Sequence, residues 1–250
     1  MAVPQLDSRA NEKAPLGMST VVIDIGGTNV KVWRSATEKV KFAAGKTLTP
    51  DAFVTRVSAV TTGWDFERIS IGYPGEVKGD RPTADPYNLG AGWADFDFAR
   101  AFDKPLRMMN DACLQALGSY DGGKMLYLGL GTSIGTTLIY QDRIVPLALG
   151  HLPLGRQTFE HYLSRQGLKR YGRRGWNRWT ARAVNLLKPA FLADYVVLGG
   201  GNAKKLSDLP DGARQGGNHN VWWGGLKLWE ATRPDSDPPV GQEESDSSSD

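Results

Sequence analysis

Four short segments pair residue types that phosphate chemistry uses. Asp24-Ile25-Gly26-Gly27-Thr28-Asn29-Val30-Lys31 puts an acid ahead of two glycines. With no side chains, Gly26 and Gly27 let backbone N–H groups come close to a phosphate. Thr28 adds a hydroxyl donor, and Asp24 can hold the water shell of Mg²⁺. A plain hairpin with a Gly-Gly turn accounts for the same residues. Gly131-Thr132-Ser133-Ile134-Gly135 repeats the theme and reads as a second phosphate loop or a second hairpin turn. Leu198-Gly199-Gly200-Gly201-Asn202-Ala203 follows a buried strand and predicts a helix opening. Amides there favour an anion, and three glycines leave room for a flat ring. The spacing is not that of a dinucleotide fingerprint. Asn110-Asp111 ends a strand before a helix. A carboxylate there can take the proton of an attacking hydroxyl, or Asp111 simply caps the helix.

These segments need elements to carry them. Residues 20–25 (TVVIDI) and 30–34 (VKVWR) read as a hairpin turning at GGTN. Residues 50–62 predict a helix with Thr49 as N-cap and Pro50 in its first turn. Residues 68–73 read as a strand that stops at Pro74-Gly75. A short helix over 95–103, a strand over 105–109 and a helix over 112–119 follow. The second half repeats the grammar: strands at 124–130, 136–140 and 143–148, helices at 157–165 and 176–188, and a strand at 194–199. In the helix over 176–188, Trp176, Trp179, Ala183 and Leu186 are expected to share one face. A last amphipathic helix is expected at 220–231. Two strand–glycine turn–strand units in one α/β chain point to a duplicated fold with a cleft between its halves.

Composition narrows the class. Of 250 residues, 40% are hydrophobic and 23% charged, as in an ordinary soluble domain. No run of 18 apolar residues occurs, and residues 1–18 lack the apolar stretch of a signal peptide, so a cytoplasmic location without a membrane anchor is expected. The single cysteine, Cys113, excludes an intrachain disulfide and a cysteine-rich zinc site. Residues 233–250 hold one arginine and six acids, a charge of −5. That leaves +8 for the rest of a chain whose net charge is +3. The tail reads as disordered, and the basic body suits an anionic ligand.

Seven motifs stand in one order: DIGGT, GYPG (Gly72 to Gly75), NLGAGW (Asn88 to Trp93), NDA (Asn110 to Ala112), LGTSIG (Leu130 to Gly135), LGH (Leu149 to His151) and LGGG. This set resembles the ROK family of sugar kinases, most of all its polyphosphate glucokinase branch, over roughly residues 20–232. The resemblance implies an actin/hexokinase-like (ribonuclease H-like) duplicated fold, with two lobes around a cleft. The lobes would span 19–110 and 111–232, between a flexible stretch at 1–18 and the disordered tail at 233–250. The helix over 220–231 would be free to pack back on the first lobe.

The resemblance also implies roles. Asp111 would be the base on the 6-hydroxyl of glucose or a related hexose, and Asp24 would orient Mg²⁺ through water. Gly26, Gly27 and Thr28 would hold one end of the phosphate chain, and Gly131 and Thr132 the other. Gly199, Gly200 and Gly201 would face adenosine or the polyphosphate in its place. Asn88, Asn110, His151 and Glu160 would contact the sugar. A homodimer is the family's usual form. Three departures stand out. Ala148 replaces the glutamate three residues before the LGH histidine, Ser133 replaces a glycine, and the family's zinc motif is missing, so Mg²⁺ and no zinc is expected.

From Tyr162 to Ala193 there is no acid, while Arg165, Lys169, Arg170, Arg173, Arg174, Arg178, Arg182 and Lys188 supply eight cations. They form a groove for polyphosphate or a solvated helix face. No nucleic-acid reading motif accompanies them, so no nucleic-acid partner is expected. The expected activity is a hexose phosphotransferase using polyphosphate or ATP. A catalytically weak sugar- or phosphate-binding relative is the alternative, motivated by Ala148 and Ser133.

Overall fold

The computed structural model describes residues 19–94, 96–217 and 219–230, and within them the chain builds one arrangement twice. In the first half β1 (Thr20–Ile25), β2 (Asn29–Trp33) and β3 (Lys39–Ala43) form an antiparallel meander. Helix α1 (Pro50–Val60) then leads to β4 (Arg68–Tyr73), which lies parallel to β1 on its other side. A small hairpin, β5 (Val77–Lys78) with β6 (Arg81–Pro82), and helix α2 (Phe98–Phe102) precede β7 (Leu106–Asn110), which is parallel to β4. The sheet order is β3-β2-β1-β4-β7.

Helix α3 (Asp111–Ser119) opens the second half. Its strands β8 (Met125–Leu130), β9 (Ile134–Tyr140) and β10 (Arg143–Leu147) again make a meander. The hairpin of β11 (Pro153–Leu154) and β12 (Gln157–Thr158), α4 (Phe159–Leu163) and α5 (Arg165–Ala190) come next. Strands β13 (Tyr195–Gly199) and β14 (Ala213–Gln215) and helix α6 (Asn220–Lys227) complete it. Here the order is β10-β9-β8-β13-β14, the same plan as the first sheet. The two sheets carry the α/β, hexokinase-like architecture expected from the motifs.

The central strands explain themselves. All six residues of β1 and all six of β8 are buried, as befits strands covered on both faces, whose sequences read as continuous apolar runs. Thr49 caps α1 by accepting from Ala52 N at 3.3 Å, with Pro50 in the first turn, the pattern expected of that sequence. One core group gathers Ile23, Ile71, Phe53 and Trp93 around the first sheet, and another gathers Leu128, Leu198, Trp176 and Val184 around the second. A third, with Val22, Leu114, Tyr127 and Val221, lies where α3 and α6 sit between the sheets. Helix α6 rests on the first sheet: the Ser70 hydroxyl donates to Gly225 O at 2.6 Å and accepts from Trp229 Nε1 at 2.8 Å.

Several sequence expectations are corrected. The helix expected over 157–165 is the short α4, because Gln157 and Thr158 pair with β11 first. The helix expected over 176–188 begins at Arg165 and is broken at Gly172 (φ 63°, ψ 173°). Its inward face is Trp176, Thr180, Ala183, Val184 and Leu187, while Leu186 is 50% exposed. The chain after Gly199 to Gly201 makes one 3₁₀ turn, Ala203–Lys205, instead of an α-helix. The anion-binding argument for that segment therefore loses its helix. The short helix of 95–103 is confined to α2, and α6 ends at Lys227. Residues 1–18 and the acidic tail from 233 lie outside the described residues. Among the described residues no helix is long and apolar enough to cross a membrane.

Candidate active site

Asp24 and Asp111 arrive at the same place from different strands. Asp24 is the fifth residue of β1 and pairs with Gly72 on β4, which pairs in turn with Met109 on β7. Asp111 is the first residue of α3, directly after β7. Gly72 makes the approach possible. A Cβ there would stand 3.0 Å from Leu114 Cδ2 and 3.3 Å from Asp111 Cα. Gly135 does the same from the second sheet, where a side chain would collide with Ala112. Two glycines, one on each sheet, thus clamp the first turn of α3.

The helix cap is Asn110, not Asp111. Asn110 Oδ1 accepts from Ala112 N at 3.0 Å and Cys113 N at 3.3 Å, and its Nδ2 donates to Gly75 O at 3.1 Å. Asp111, freed from capping, accepts only Ala112 N at 2.8 Å through Oδ1 among the described residues. Burial, and then the charge of Asp24, push its carboxyl up to about 7, against the opposing pull of the Ala112 amide and Lys31. Such a group exchanges a proton near neutrality. Asp24 is 3% exposed and its Oδ2 pairs with Lys31 Nζ at 2.6 Å. The pairing follows from register, since Asp24 and Lys31 face each other across β1 and β2.

Among the described residues no three His, Cys, Asp or Glu side chains gather as a metal cage. The donor set still fits Mg²⁺, which binds one or two carboxylates and takes its remaining ligands from water and substrate phosphate. Asp24, with one oxygen beyond its lysine, is the residue that would hold it, through water.

The phosphate-loop candidates occupy the turns expected of them. Gly26 N donates to Asn29 O at 3.0 Å, closing the β1–β2 turn, and Thr28 is exposed. At the equivalent β8–β9 turn, Gly131 N donates to Ser133 O at 3.2 Å, with Thr132 exposed. Ser133 does not take a positive φ, so it replaces glycine there without backbone strain. Gly200 does (φ 80°), and it packs on Leu130, while Gly201 faces open space and Gly199 lies on the Tyr127 ring. The residue after them, Asn202, donates from its N to Leu130 O at 2.9 Å and from Nδ2 to Gly131 O at 3.2 Å. The second loop and the LGGG segment are thus one unit. Arg165 N also donates to Gly131 O at 2.9 Å, and Arg173 Nε to Lys205 O at 2.7 Å. The start of α5 and the Lys204-Lys205 turn therefore flank this unit. Among the described residues none of the eight α5 cations has a carboxylate within 4.0 Å.

A cleft of about 860 Å³ lies between the two sheets. Its wall includes Gly75, Glu76, Asn110, Ile134, Ala148 and His151. Of the sugar-contact candidates, Asn110 and His151 line it. Glu160 stands just behind, its Oε2 accepting from Ile134 N at 2.8 Å and lying near Gly150. Asn88 is placed elsewhere, exposed beside Gly27 of the first loop. Its loop is held by Asp85, whose carboxylate accepts from Ala94, Gly92 and Trp93 N; these bonds keep that carboxyl below its usual range. Sequence reasoning missed Asn202, Lys204 and Tyr127. The Tyr127 hydroxyl donates to Gln115 Oε1 at 2.8 Å, tying β8 to α3. The first two had a signal, since Asn202 directly follows the triple glycine and Lys204 stands two residues later. Tyr127 had none, because it reads as one more apolar residue of a buried strand.

No protein-family model matches the chain. Among curated proteins it is similar to a polyphosphate glucokinase of Mycobacterium leprae, 26% identical over 206 residues, covering 73% of this chain and 63% of the other. The chain therefore spans less than two thirds of that relative. The polyphosphate glucokinase of Mycobacterium tuberculosis is 24% identical over 206 residues, covering 73% of this chain and 77% of the other. Among solved structures, an inorganic polyphosphate/ATP-glucomannokinase from Arthrobacter sp. strain KM superposes with a TM-score of 0.69. Its identity is 20%, and the match covers 84% of this chain and 98% of that one. A ROK family glucokinase from Streptomyces griseus, solved with glucose and AMPPNP, superposes with a TM-score of 0.66 at 19% identity, covering 85% and 99%. By sequence the chain is a relative of polyphosphate glucokinases, and its fold is that of the ROK sugar kinases.

Proposed function

We propose that the chain is a hexose kinase that moves the terminal phosphoryl group of polyphosphate, or of ATP, to the 6-hydroxyl of glucose or a related hexose. The observation that carries this reading is Asp111. It follows directly on the cleft-lining Asn110, lies close to Asp24 and is excused from helix capping, with its carboxyl pushed up to about 7. The hydroxyl oxygen would attack the terminal phosphorus in line, the proton would pass to Asp111, and the bridging P–O bond to the shortened donor would break. Catalysis of this kind is mostly positioning and charge neutralisation. Gly26, Gly27 and Thr28 would hold the donor from one side and Gly131 and Thr132 from the other. Mg²⁺, held by Asp24 through water, would offset the negative charge of the phosphates.

The surroundings of the second loop favour polyphosphate as donor. Arg165 is tied to it through the backbone and Arg173 to the adjoining Lys204-Lys205 turn, and a chain with a charge on every unit engages several cations at once. Phosphorylation of glucose by the purified protein with Mg²⁺, ATP against polyphosphate, is the test, with Asp111→Asn as control. Turnover that the control abolishes supports the kinase, and the better donor identifies the branch. The exposed methyl of Ala148 in the cleft wall favours a second reading, a weak sugar-binding relative. Measurable sugar binding without turnover on either donor would select it.

A further inference from the structure

The cleft has two ends of different chemistry. Strand β7 runs along it from Arg107 to Asn110, about 10 Å at the usual rise of a strand, and β10 with its extension runs from Ile144 to Ala148 and His151. Both strands finish at the end where Asp111 begins α3. That end is polar: Asn110, His151, Glu76 and the Gly75 backbone line it. The far end is walled by Met108, Ile144, Pro146 and Leu228.

Two charged residues also reach the far end, and both are already engaged. Arg107 Nη1 donates to Leu228 O at 2.6 Å and its guanidinium lies 5.0 Å from the Trp229 ring. Asp80 Oδ1 accepts from Met108 N at 2.9 Å, satisfying the free edge of β7. What the far end offers a ligand is chiefly the apolar surface of the half-buried Ile144 and the exposed Pro146, backed by the nearly buried Met108 and Leu228. Between the ends stands Ala148, exposed to the cleft and unable to accept a hydrogen bond through its side chain. A sugar hydroxyl facing it gains nothing, and a substituent in place of that hydroxyl loses nothing. The volume agrees: about 860 Å³ suits a drug-sized molecule, and one pyranose fills only part of it.

We infer that the acceptor is a hexose carrying an apolar aglycone, a glycoside whose pyranose sits at the Asn110–His151 end and whose aglycone lies against Met108, Ile144, Pro146 and Leu228. This rests on the proposal that the cleft takes the acceptor, and the experiment separates the two. The full chain, with Mg²⁺ and polyphosphate, is assayed on glucose, methyl glucoside and phenyl glucoside in both anomers. Binding of each sugar is measured by calorimetry without donor. The better phenyl glucoside is expected to exceed glucose at least about tenfold in kcat/KM and in affinity, with the methyl glucoside between them. Pro146→Glu, at an exposed position on β10, is expected to bring that ratio close to one, and Ala148→Glu to turn it in favour of glucose. Glucose bound and phosphorylated as well as the phenyl glucosides would overturn the inference and leave the kinase standing. Tenfold tighter binding of a phenyl glucoside with no phosphorylation of any sugar would uphold the inference about the cleft and remove the kinase. Absence of binding by every sugar would overturn both.

Discussion

The turn between β1 and β2 and the turn between β8 and β9 occupy the same place in two sheets of the same plan, yet their surroundings differ in charge. The first is an acid's neighbourhood. Asp24 leads into the turn, Asp111 lies two strands away, and Lys31 is bound to Asp24 at 2.6 Å. The second has no carboxylate in the loop itself, though Glu160 accepts from Ile134 N within it, and it is flanked by the start of α5 at Arg165 and by the Lys204-Lys205 turn. The plan of the two loops is repeated, but the charge around them is not: an acid pair lies beside the first, and the start of α5 and the Lys204-Lys205 turn flank the second. A fold determines where ligands can sit, whereas the local charge determines which ligand does.

Breaking the acidic side should have the largest effect. Asp111→Asn keeps an acceptor for Ala112 N but cannot take a proton, so kcat should fall about a thousandfold. In the unaltered protein kcat should rise with pH through a midpoint near 7, where the carboxyl ionises. A profile already flat at pH 6 would remove Asp111 from the role of base.

The same substitution should stabilise the fold. The folded-state pKa of Asp111 lies above its unfolded value, so this acid contributes least to stability when it is ionised. The penalty grows as pH rises from about 4, the unfolded value, and is complete above about 7. Asp111→Asn is therefore expected to raise stability by on the order of 2–4 kcal/mol at pH 8 and by little at pH 4. Urea titrations at the two pH values check it; equal gains would mean that the carboxyl is not held up in the folded state.

The basic side sharpens the comparison next. Changing Arg165, Lys169 and Arg173 together to Gln should raise KM for polyphosphate about tenfold and steepen its loss in salt less than in the parent, while KM for ATP moves little. An equal rise for both donors would show that these cations serve the common phosphate site and not a polyphosphate chain.

The smallest effect tests the link between Asp24 and Asp111. Lys31→Met removes a cation that draws the Asp111 carboxyl down and leaves Asp24 uncompensated, so the midpoint of the pH–rate curve should move up by about half a unit to one unit. A downward movement would contradict the assigned electrostatics.

The positions of the two sheets were legible because their central strands are apolar runs that stop at glycines. TVVIDI and KMLYLGL needed no tertiary context, and neither did the Thr49-Pro50 helix start. Elements stabilised by contact rather than by sequence were not legible. Strand β3 alternates lysines with Val40 and Phe42 but is short and mostly exposed; pairing with β2 makes it a strand. The stretch before Trp176 has glycines at 167, 172 and 175 and reads as a loop, yet Gly167 and Gly175 are buried within α5. The same division holds at the site. Asp24, Asp111 and the glycine loops could be found because their motifs are local. The union of Asn202 with Gly131 and the exposed position of Asn88 depend on distances between elements, and periodicity carries no such information.

Helix α6 covers β1 from the far side of the sequence. Its backbone at Gly225 lies against Val22, and its carbonyl there receives the Ser70 hydroxyl. Strand β1 is thus roofed by a helix made some two hundred residues later. At about 5–20 residues per second, a ribosome leaves that interval open for roughly 10–40 s. Throughout it the buried face of β1, with Val22 at its centre, has no native cover. Until α6 emerges, the first half therefore carries an apolar sheet face without this cover, the kind of surface that makes nascent species prone to aggregate.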